Sequence, residues 1–340
     1  MRNEAPFVLE WVAHHRAIGF TDFLIYTNDC EDGTDRMLEH LPGVTHVPNP
    51  RKGDKPIQWQ ALARASKHPL VAAADWIMVA DVDEFVNIHA GEGTLADLFS
   101  AVPEAQGFAL AWRLFGAGGQ GGYADQPVTT RFTQAAPPVM LWPFRARCYK
   151  TLWRNDGCFA KLGVHRPKQP DPARYAPQLW VDGSGRTLPQ DITRGMLPAI
   201  MDETDQYALA QVNHYATGSA EDFLIKRWRG KPNHEADEIG LDYWIANNQG
   251  AVKDVSITRT AAIREEMLAQ LRADPTLAAL HAEAVAWRRA KIAELLEDEA
   301  MFGVYQAILQ TGPSLPLPLP MQHALLRHHN RLARARRGLE

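Results

Sequence analysis

Two aspartates directly follow an apolar run, in the segment Asp81-Val82-Asp83-Glu84-Phe85. The run, residues 76–80, predicts a buried strand, and open α/β sheets hold ligands at the carboxyl ends of their strands. Alternate residues of a strand point the same way, so Asp81 and Asp83 can converge on one hard cation that bridges two phosphate oxygens. The alternative is a strand that simply ends in a polar loop, where aspartate is common.

Helix and strand patterns alternate around these aspartates. Helical spacing starts near Pro6 and returns over residues 58–66, and apolar strands are predicted over residues 23–26, 44–47, 76–80 and 107–115. This alternation predicts an α/β protein with a mostly parallel sheet flanked by helices. Residues 125–206, rich in proline, aromatics and arginine, add predicted strands near 148–153 and 163–166, and an apolar strand over 207–214 follows.

The composition is that of an ordinary globular protein: 340 residues, 46% hydrophobic and 22% charged. The formal net charge of -4 provides no general attraction to nucleic acid. Its three cysteines form neither a CxxC pair nor a zinc spacing, which favours a reducing, cytoplasmic setting. We find no run of about 20 apolar residues, so the sequence predicts no transmembrane helix.

The C-terminal part has a helical pattern rich in alanine, leucine, glutamate and arginine, broken by prolines over residues 313–320. We divide the chain into a main domain (1–250), a helical extension (251–312), and a proline-rich break with a basic tail (313–340). In the tail, leucines alternate with arginines: Leu325, Leu326, Leu332, Arg327, Arg331, Arg334, Arg336 and Arg337. This pattern predicts an amphipathic helix that contacts an anionic membrane through residues 321–340. A solvated or disordered terminus is the alternative.

Several motifs in a fixed order carry a resemblance to a known family. They are Arg2-Asn3-Glu4, Leu9-Glu10-Trp11-Val12 with His15, Ile25 to Thr34, Asp81 to Phe85, and Asn213-His214-Tyr215 leading to Ser219 and Lys226. Together they resemble bacterial glycosyltransferases of the family 2 type, close to the branch related to the family 92 galactosyltransferases, over roughly residues 1–250. The resemblance implies a GT-A, Rossmann-like fold, a nucleotide-diphosphate sugar donor and a divalent metal, usually manganese, with magnesium as the alternative.

The same resemblance implies a first strand before the Arg-Asn-Glu segment. Only Met1 precedes that segment here. We therefore expect the sheet to lack its first strand and to expose an apolar surface where that strand belongs.

The same resemblance, together with residue chemistry, implies roles for individual side chains. The residues expected at the donor are Asn3, Glu4, Asn28, Asp29, Asp32, Asp81, Lys226 and Arg229. Those expected at the metal are Asp81, Asp83 and His214. Each has a plain structural alternative: turn formation for the 28–32 loop, a core hydrogen bond for His214, and a solvated helix face for the basic cluster.

The acceptor side is less well defined. Trp112 and Arg113 are candidates for a platform on which a sugar stacks, although aromatics in a sheet more often belong to the core. His165 is a candidate for acceptor binding or a rival metal ligand. Inverting enzymes need a carboxylate base near the acceptor hydroxyl, and Asp156 is a candidate by position only. Retention of configuration, which needs no such base, stays open.

These expectations predict a metal-dependent glycosyltransferase of the hexosyltransferase type. It would move a sugar from a nucleotide diphosphate to a carbohydrate or lipid-linked acceptor, as in polysaccharide biosynthesis, in the cytoplasm or on a membrane surface. A metal-dependent phosphoesterase or nucleotide-sugar hydrolase is one alternative. A non-catalytic carbohydrate-binding protein is the other.

Overall fold

The computed structural model describes residues 1–53, 55–189, 192, 198–230 and 239–335. Its helices are α1 (Ala5–Ala17), α2 (Thr34–His40), α3 (Ile57–Ala65), α4 (Pro69–Ala73), α5 (Leu95–Ala101), α6 (Val128–Arg131), α7 (Pro172–Tyr175), α8 (Ala220–Arg229), α9 (Leu241–Asn247), α10 (Ala261–Ala273), α11 (Pro275–Leu296), α12 (Glu299–Gln310) and α13 (Leu319–Ala335). Short 3-10 helices span Phe144–Arg147 and Ser256–Thr260.

The strands are β1 (Phe23–Thr27), β2 (Val44–Pro48), β3 (Trp76–Met78), β4 (Glu84–Ile88), β5 (Ala105–Leu114), β6 (Gln134–Ala135), β7 (Tyr149–Arg154), β8 (Phe159–Lys161), β9 (Lys168–Pro170), β10 (Leu179–Asp182), β11 (Ala210–His214) and β12 (Val252–Lys253). The predicted strands near residues 23–26, 44–47 and 148–153 are therefore present. Residues 163–166, by contrast, form a loop.

The principal sheet has six strands in the order β3-β7-β5-β11-β4, with β10 also paired to β5. The β5 strand runs parallel to β10 and β11, whereas the β3–β7, β5–β7 and β4–β11 pairs are antiparallel. The α/β class is thus confirmed, but the sheet is mixed and not mostly parallel. Hydrophobic patterns locate strands without fixing their direction, and the long irregular segment before β7 lets that strand enter the sheet reversed.

The first two strands stand apart from this sheet. In the described part of the chain, β1 pairs only with β2, in parallel, from Phe23 opposite Val44 to Thr27 opposite Pro48. The β3 strand is the end strand of the principal sheet, where it pairs with β7. One edge of β1 and one edge of β3 are therefore left to face a cleft.

The N-terminal helix anchors the core beside β1. Its apolar positions, among them Val8, Leu9 and Val12, are fully buried in one cluster with Phe23 and Ile25 of β1. The predicted C-terminal helical region is confirmed as α10 to α13, and α10 and α11 contribute Leu268 and other side chains to this same cluster. The helical extension thus shares its core with the main domain, because neither part alone covers the apolar face of α1.

The last helix docks on the chain preceding β7. Gln322 of α13 is buried, and its Oε1 accepts hydrogen bonds from the amides of Leu141 (2.7 Å) and Trp142 (3.0 Å). His329 stacks on Phe144 with ring centroids 5.0 Å apart. Among the described helices, none is both long enough and apolar enough to cross a bilayer.

Candidate active site

The two predicted aspartates lie in a tight turn between β3 and β4. The strand ends at Met78, two residues earlier than predicted, and the Glu84 amide donates to the Asp81 carbonyl (3.0 Å). In return, Oε2 of Glu84 accepts from the Asp81 amide (2.9 Å). The side-chain alternation expected of a strand therefore does not apply here. Instead, Asp81 meets a lysine of β7 and Asp83 meets a lysine of α8.

Lys150 of β7 is the residue that sequence reasoning missed. Its Nζ lies 3.1 Å from Asp81 Oδ2 and 3.1 Å from Glu84 Oε2, and its side chain is 0% exposed. A lysine is rarely buried without an ionic partner, so its place within the apolar Tyr149–Arg154 strand was the available signal. Burial raises the pKa of Glu84 to about 8, although Lys150 opposes that shift.

Asp83 is held from the other side of the cleft. Its Oδ2 accepts from Lys226 Nζ (2.7 Å), and Nε2 of His214 lies 3.8 Å away. Burial tends to raise the pKa of Asp83, but the positive charge of Lys226 outweighs it, so that the pKa falls well below its usual range. Asp83 is therefore an anion at neutral pH, with an ammonium already against it.

Arg229 continues this cationic row one turn along α8. It forms an ion pair with Glu4, and its Nη1 donates to the carbonyl of Arg2 (2.8 Å). The helix is fixed at its start by a capping box, in which Ser219 and Asp222 exchange hydrogen bonds. Lys226 and Arg229 lie three residues apart, and on a helix this spacing places both on one face, toward the cleft.

Two histidines and a tryptophan form the wall opposite. The ring of Trp112 lies 4.3 Å from that of His214 and 5.2 Å from that of His165, between centroids. Burial lowers the pKa of each histidine to about 4, so both are neutral at pH 7. The His165 Nδ1 lies 3.0 Å from the Tyr149 carbonyl, while the His214 Nδ1 is buried and makes no hydrogen bond.

These side chains line one continuous cleft of about 1970 Å³. The predicted site residues that border it are Glu4, Asn28, Asp29, Asp81, Asp83, Trp112, His165, His214, Lys226 and Arg229. The volume exceeds that of a usual small-molecule pocket, about 300–1,000 Å³, and it leaves room for two ligands side by side. Phe144 and Arg145 complete the rim.

Four predicted site residues lie away from the cleft. Asn3 is buried and its Oδ1 accepts from the Glu31 amide (2.8 Å), while buried Asp32 accepts from the amides of Ala5 (2.8 Å) and Thr34 (2.9 Å). Both hold the loop after β1 against the start of α1. Their oxygens are thus engaged with backbone groups of the protein.

Arg113 and Asp156 point elsewhere for different reasons. Arg113 follows Trp112 on β5, so it faces the opposite side of the sheet, where its Nη1 lies 3.3 Å from Asp254 Oδ2. Asp156 sits in the turn after β7 and accepts from Gln178 Nε2 (2.8 Å). Neither residue borders the cleft.

Asp81, Asp83 and His214 are the side chains predicted to bind a divalent metal. Within the described residues, no three metal-ligating side chains come together as a ready-made site. Magnesium and similar ions, however, take only one or two protein carboxylates and complete their shell with water and phosphate. Asp83 and the neutral His214, whose Nε2 lies 3.8 Å from Asp83 Oδ2, provide such ligands. A cation there would displace Lys226 from Asp83.

The known proteins to which this chain is similar match its amino-terminal part, which contains the aspartate turn. Residues 1–169 match the model of one protein family. It is glycosyltransferase family 92. A glycosyltransferase family 92 protein of Oryza sativa subsp. japonica is similar, with 27% identity over 140 residues. That alignment covers 39% of this chain and 23% of the plant protein, so the chain matches less than a quarter of that relative's length.

Both findings support a relation of this part of the chain to glycosyltransferase family 92. The family 92 match contains Asp81, Asp83, Lys150 and His165. His214 and the cations of α8 lie beyond its end at residue 169. The carboxylates thus come from the matched part, and the structure adds the cations that face them.

Proposed function

We propose that this protein is a glycosyltransferase that moves a sugar from a nucleotide diphosphate to a hydroxyl of a carbohydrate or lipid-linked acceptor, on a GT-A-like fold. The family match supports sugar transfer. The observation that carries the proposal is the cleft itself, where Asp81 and Asp83 lie together with Lys226 and Arg229, while Lys150 is buried behind Asp81. This combination suits a ligand that carries phosphates at one end and hydroxyls at the other.

The departing diphosphate would lie against Lys226 and Arg229. During transfer, the bond from the anomeric carbon to the phosphate oxygen breaks and a bond to the acceptor oxygen forms, so negative charge develops on the diphosphate. Preorganised cations stabilise that charge without reorganising at the moment of reaction. Lys226 is anchored by Asp83 and by the Ala216 carbonyl (2.7 Å), and Arg229 by Glu4. Both side chains are therefore held beside the cleft before the donor binds, and the charge of Lys226 becomes available to the diphosphate when a ligand takes Asp83 from it.

We further propose a divalent cation, manganese or magnesium, on Asp83 with Asp81 and His214. When bound, it would add positive charge against the diphosphate. A neutral imidazole suits a borderline ion such as manganese. The competing arrangement is the one in which Lys150 and Lys226 keep the carboxylates and provide all the neutralising charge. Metal dependence of nucleotide binding separates the two.

The acceptor would lie against the wall formed by Trp112 and His165. An indole face packs against the apolar side of a sugar ring, and neutral imidazoles exchange hydrogen bonds with its hydroxyls. His165 Nε2 is the ring nitrogen left for this purpose, because Nδ1 lies against the Tyr149 carbonyl. Arg113, on the opposite face of β5, has no part in this wall.

The direct test combines calorimetry with product analysis. We expect UDP or GDP to bind the wild-type protein, with affinity raised at least about tenfold by manganese. Incubation with a panel of nucleotide sugars and oligosaccharide acceptors should give an acceptor lengthened by one sugar. Release of free sugar at the same rate with and without acceptor would show a hydrolase. Binding of sugars but of no nucleotide would show a carbohydrate-binding protein.

A further inference from the structure

A basic rim borders the cleft on the side formed by α3 and the β8–β9 hairpin. Two segments form this rim: residues 51–67, which include α3, and residues 159–170, which include both strands of the hairpin. The first contains five lysines and arginines and one aspartate, and the second contains three lysines and arginines and no acidic residue. Arg51, Trp59 and Lys168 of these segments border the cleft. In a chain with a formal net charge of -4, so local an excess of positive charge favours binding of an anion.

The two lysines of the hairpin lie opposite each other. The antiparallel register pairs Lys161 with Lys168, so both side chains leave the same face of the hairpin, and both are exposed. Like charges directly opposite one another destabilise a strand pair. The described part of the chain offers neither lysine a carboxylate within ion-pair distance. An anion bound between them would replace this repulsion with attraction.

Lys168 also contacts an exposed tryptophan. Its Nζ lies 3.9 Å from the ring centre of Trp59, which is 38% exposed. An aromatic face attracts an ammonium without providing an acceptor oxygen, so the N–H donors of Lys168 remain available to a ligand. Burial and the neighbouring charge of Arg166 lower the pKa of Lys168. A bound anion would offset both effects, because it favours the charged form of the lysine.

This lysine and tryptophan lie next to the candidate active site. Gln58, beside Trp59 on α3, has its Nε2 3.4 Å from Asp81 Oδ1. The loop of the hairpin carries His165, a member of the acceptor wall, three residues before Lys168. A ligand that extends from the acceptor wall along the cleft would therefore reach the basic rim.

The hairpin is held in place at both of its ends. The Leu162 amide donates to Ser66 Oγ (3.0 Å), directly after α3. At the start of the hairpin, Phe159 packs against Tyr175 and Trp180, with ring centroids 5.7 Å and 5.8 Å apart. The lysines and the tryptophan are thus brought together by a fixed backbone, which reduces the ordering cost of binding.

We propose that the basic rim binds the acceptor, and that this acceptor is an acidic oligosaccharide whose sugars carry carboxylate or phosphate groups. One sugar would pack against the indole of Trp59, and its negative group would lie between Lys161 and Lys168. The oligosaccharide would continue past His165 toward Asp81. This inference rests on the proposed sugar transfer and narrows it to an acidic acceptor.

A membrane surface is the competing source of negative charge. Binding to a bilayer requires protruding apolar side chains beside the cations, whereas Trp59 lies at the border of a concave cleft. The exposed apolar side chains Leu315, Met321 and Leu332 belong to the C-terminal region instead. An aromatic ring with cations at the border of a cleft therefore favours a saccharide.

The test measures the affinity of the full chain for matched tetrasaccharides by calorimetry. Tetrasaccharides of glucose, galactose and mannose are each compared in neutral, hexuronate and 6-phosphorylated forms. We expect an acidic form to bind at least about tenfold more tightly than its neutral counterpart, and added salt to reduce this preference. The hexuronate and phosphate forms distinguish the two negative groups.

Variants of the rim show which side chains carry the preference. Lys161→Gln combined with Lys168→Gln should bring the affinities for acidic and neutral forms to within about threefold of each other. Trp59→Ala should weaken binding of both forms, because the packing surface is lost. Lys168→Arg keeps the charge and the contact with the indole and should retain most of the preference. Lys253→Gln, at an exposed cation of β12 outside the cleft, is the matched control and should change neither affinity.

Equal affinity for acidic and neutral forms of all three sugars, with nucleotide binding intact, would overturn the acidic acceptor and leave sugar transfer standing. Failure of both UDP and GDP to bind would instead overturn sugar transfer, and the acceptor role with it, whatever the saccharide affinities. If the double lysine variant loses binding to anionic vesicles and the wild type shows no preference among saccharides, the rim belongs to a membrane contact and the proposal is wrong.

Discussion

Lys226 and Asp83 lie 143 positions apart in the sequence, and Lys226 Nζ is 2.7 Å from Asp83 Oδ2. The lysine is therefore neutralised in the absence of ligand, and its charge becomes available only when something else takes Asp83. A divalent cation can do this, because it binds carboxylate oxygen more tightly than an ammonium does. The pair thus links metal binding on one side to diphosphate binding on the other.

Asp83→Asn should raise nucleotide affinity in the absence of metal and lower it in the presence of metal. Without metal, the substitution frees Lys226, and we expect UDP or GDP to bind roughly threefold more tightly. With manganese, loss of the ligand should weaken nucleotide binding at least about tenfold relative to wild type. Calorimetric titration under both conditions measures the two effects. Glu266→Gln, on the exposed face of α10, is the control for charge alone.

Lys226→Met should weaken nucleotide binding in either condition by about tenfold. With manganese a charge-assisted contact to phosphate is lost, and without it the negative charge of Asp83 is left unneutralised beside the phosphates. Unchanged nucleotide affinity with and without manganese would place the diphosphate elsewhere in the cleft.

His214→Ala should lower manganese affinity less than Asp83→Asn does, since water replaces one neutral ligand among about six.

Lys150→Met should destabilise the fold more than it alters nucleotide affinity. Above pH 8, where Glu84 is ionised, it leaves that carboxylate buried without its cation, and breaking such a pair costs about 3–5 kcal/mol. Adding Glu84→Gln removes the stranded charge and should recover part of the loss. Urea unfolding of both single variants and of the double variant measures the coupling. Strictly additive effects would show that the two side chains do not act as a pair.

Buried histidines should make the protein less stable in mild acid. Burial lowers the pKa of His15 to about 4 from 6.5, so between these values the unfolded chain binds a proton that the folded chain refuses. Stability is complete above pH 6.5 and falls as the pH drops toward 4, by about 3 kcal/mol for this residue. Unfolding curves at pH 7 and 4.5 should differ less for His15→Gln than for wild type.

The basic tail is predicted to contact an anionic membrane, and the docking of α13 on the rest of the protein shows which of its side chains are exposed for this contact. Leu325 and Leu326 are half-buried, so apolar contact with a bilayer would come from exposed Met321 and Leu332, flanked by Arg327 and Arg331. Residues 336–340, with two more arginines, lie outside the described residues. Removing 321–340 should reduce sedimentation with anionic vesicles.

Truncation also removes Gln322, which supports the segment before β7. The sharper variant therefore replaces Arg327, Arg331 and Arg334 with glutamine and keeps the docked face. We expect the free energy of binding to anionic vesicles, measured by sedimentation, to weaken by about 1 kcal/mol per arginine. Binding to neutral vesicles should stay unchanged. Equal binding of this variant and wild type to anionic vesicles would exclude a membrane role for the tail.

Local patterns predicted much of the framework. Apolar runs located β1, β2, β3 and β7 within about two residues, because a buried strand needs continuous apolar side chains. The same patterns could not show that β7 runs antiparallel between β3 and β5. They also placed the end of β3 two residues late, since the turn that begins at Asp81 depends on its hydrogen bond to Glu84.

Candidate site residues could be predicted where they stand together in one sequence motif. They could not be predicted where the interacting residues lie far apart in the sequence. Asp81 and Asp83 stand in one motif, and the structure places both at the cleft. Nothing in the local sequence connects Lys150 with Glu84, because the fold alone brings β7 beside that turn. Asn3 and Asp32 illustrate the converse: polar residues in a conspicuous motif can be engaged in holding the backbone.

The bond between Arg229 and the Arg2 carbonyl has a consequence for interpreting substitutions at Arg229. The same guanidinium forms an ion pair with Glu4, directly before α1, so one side chain ties the end of α8 to the start of α1. Removing it therefore takes a cation from the cleft and an anchor from α1 at once. Arg229→Lys keeps the charge but not the forked donor geometry, so its comparison with Arg229→Met separates the two losses.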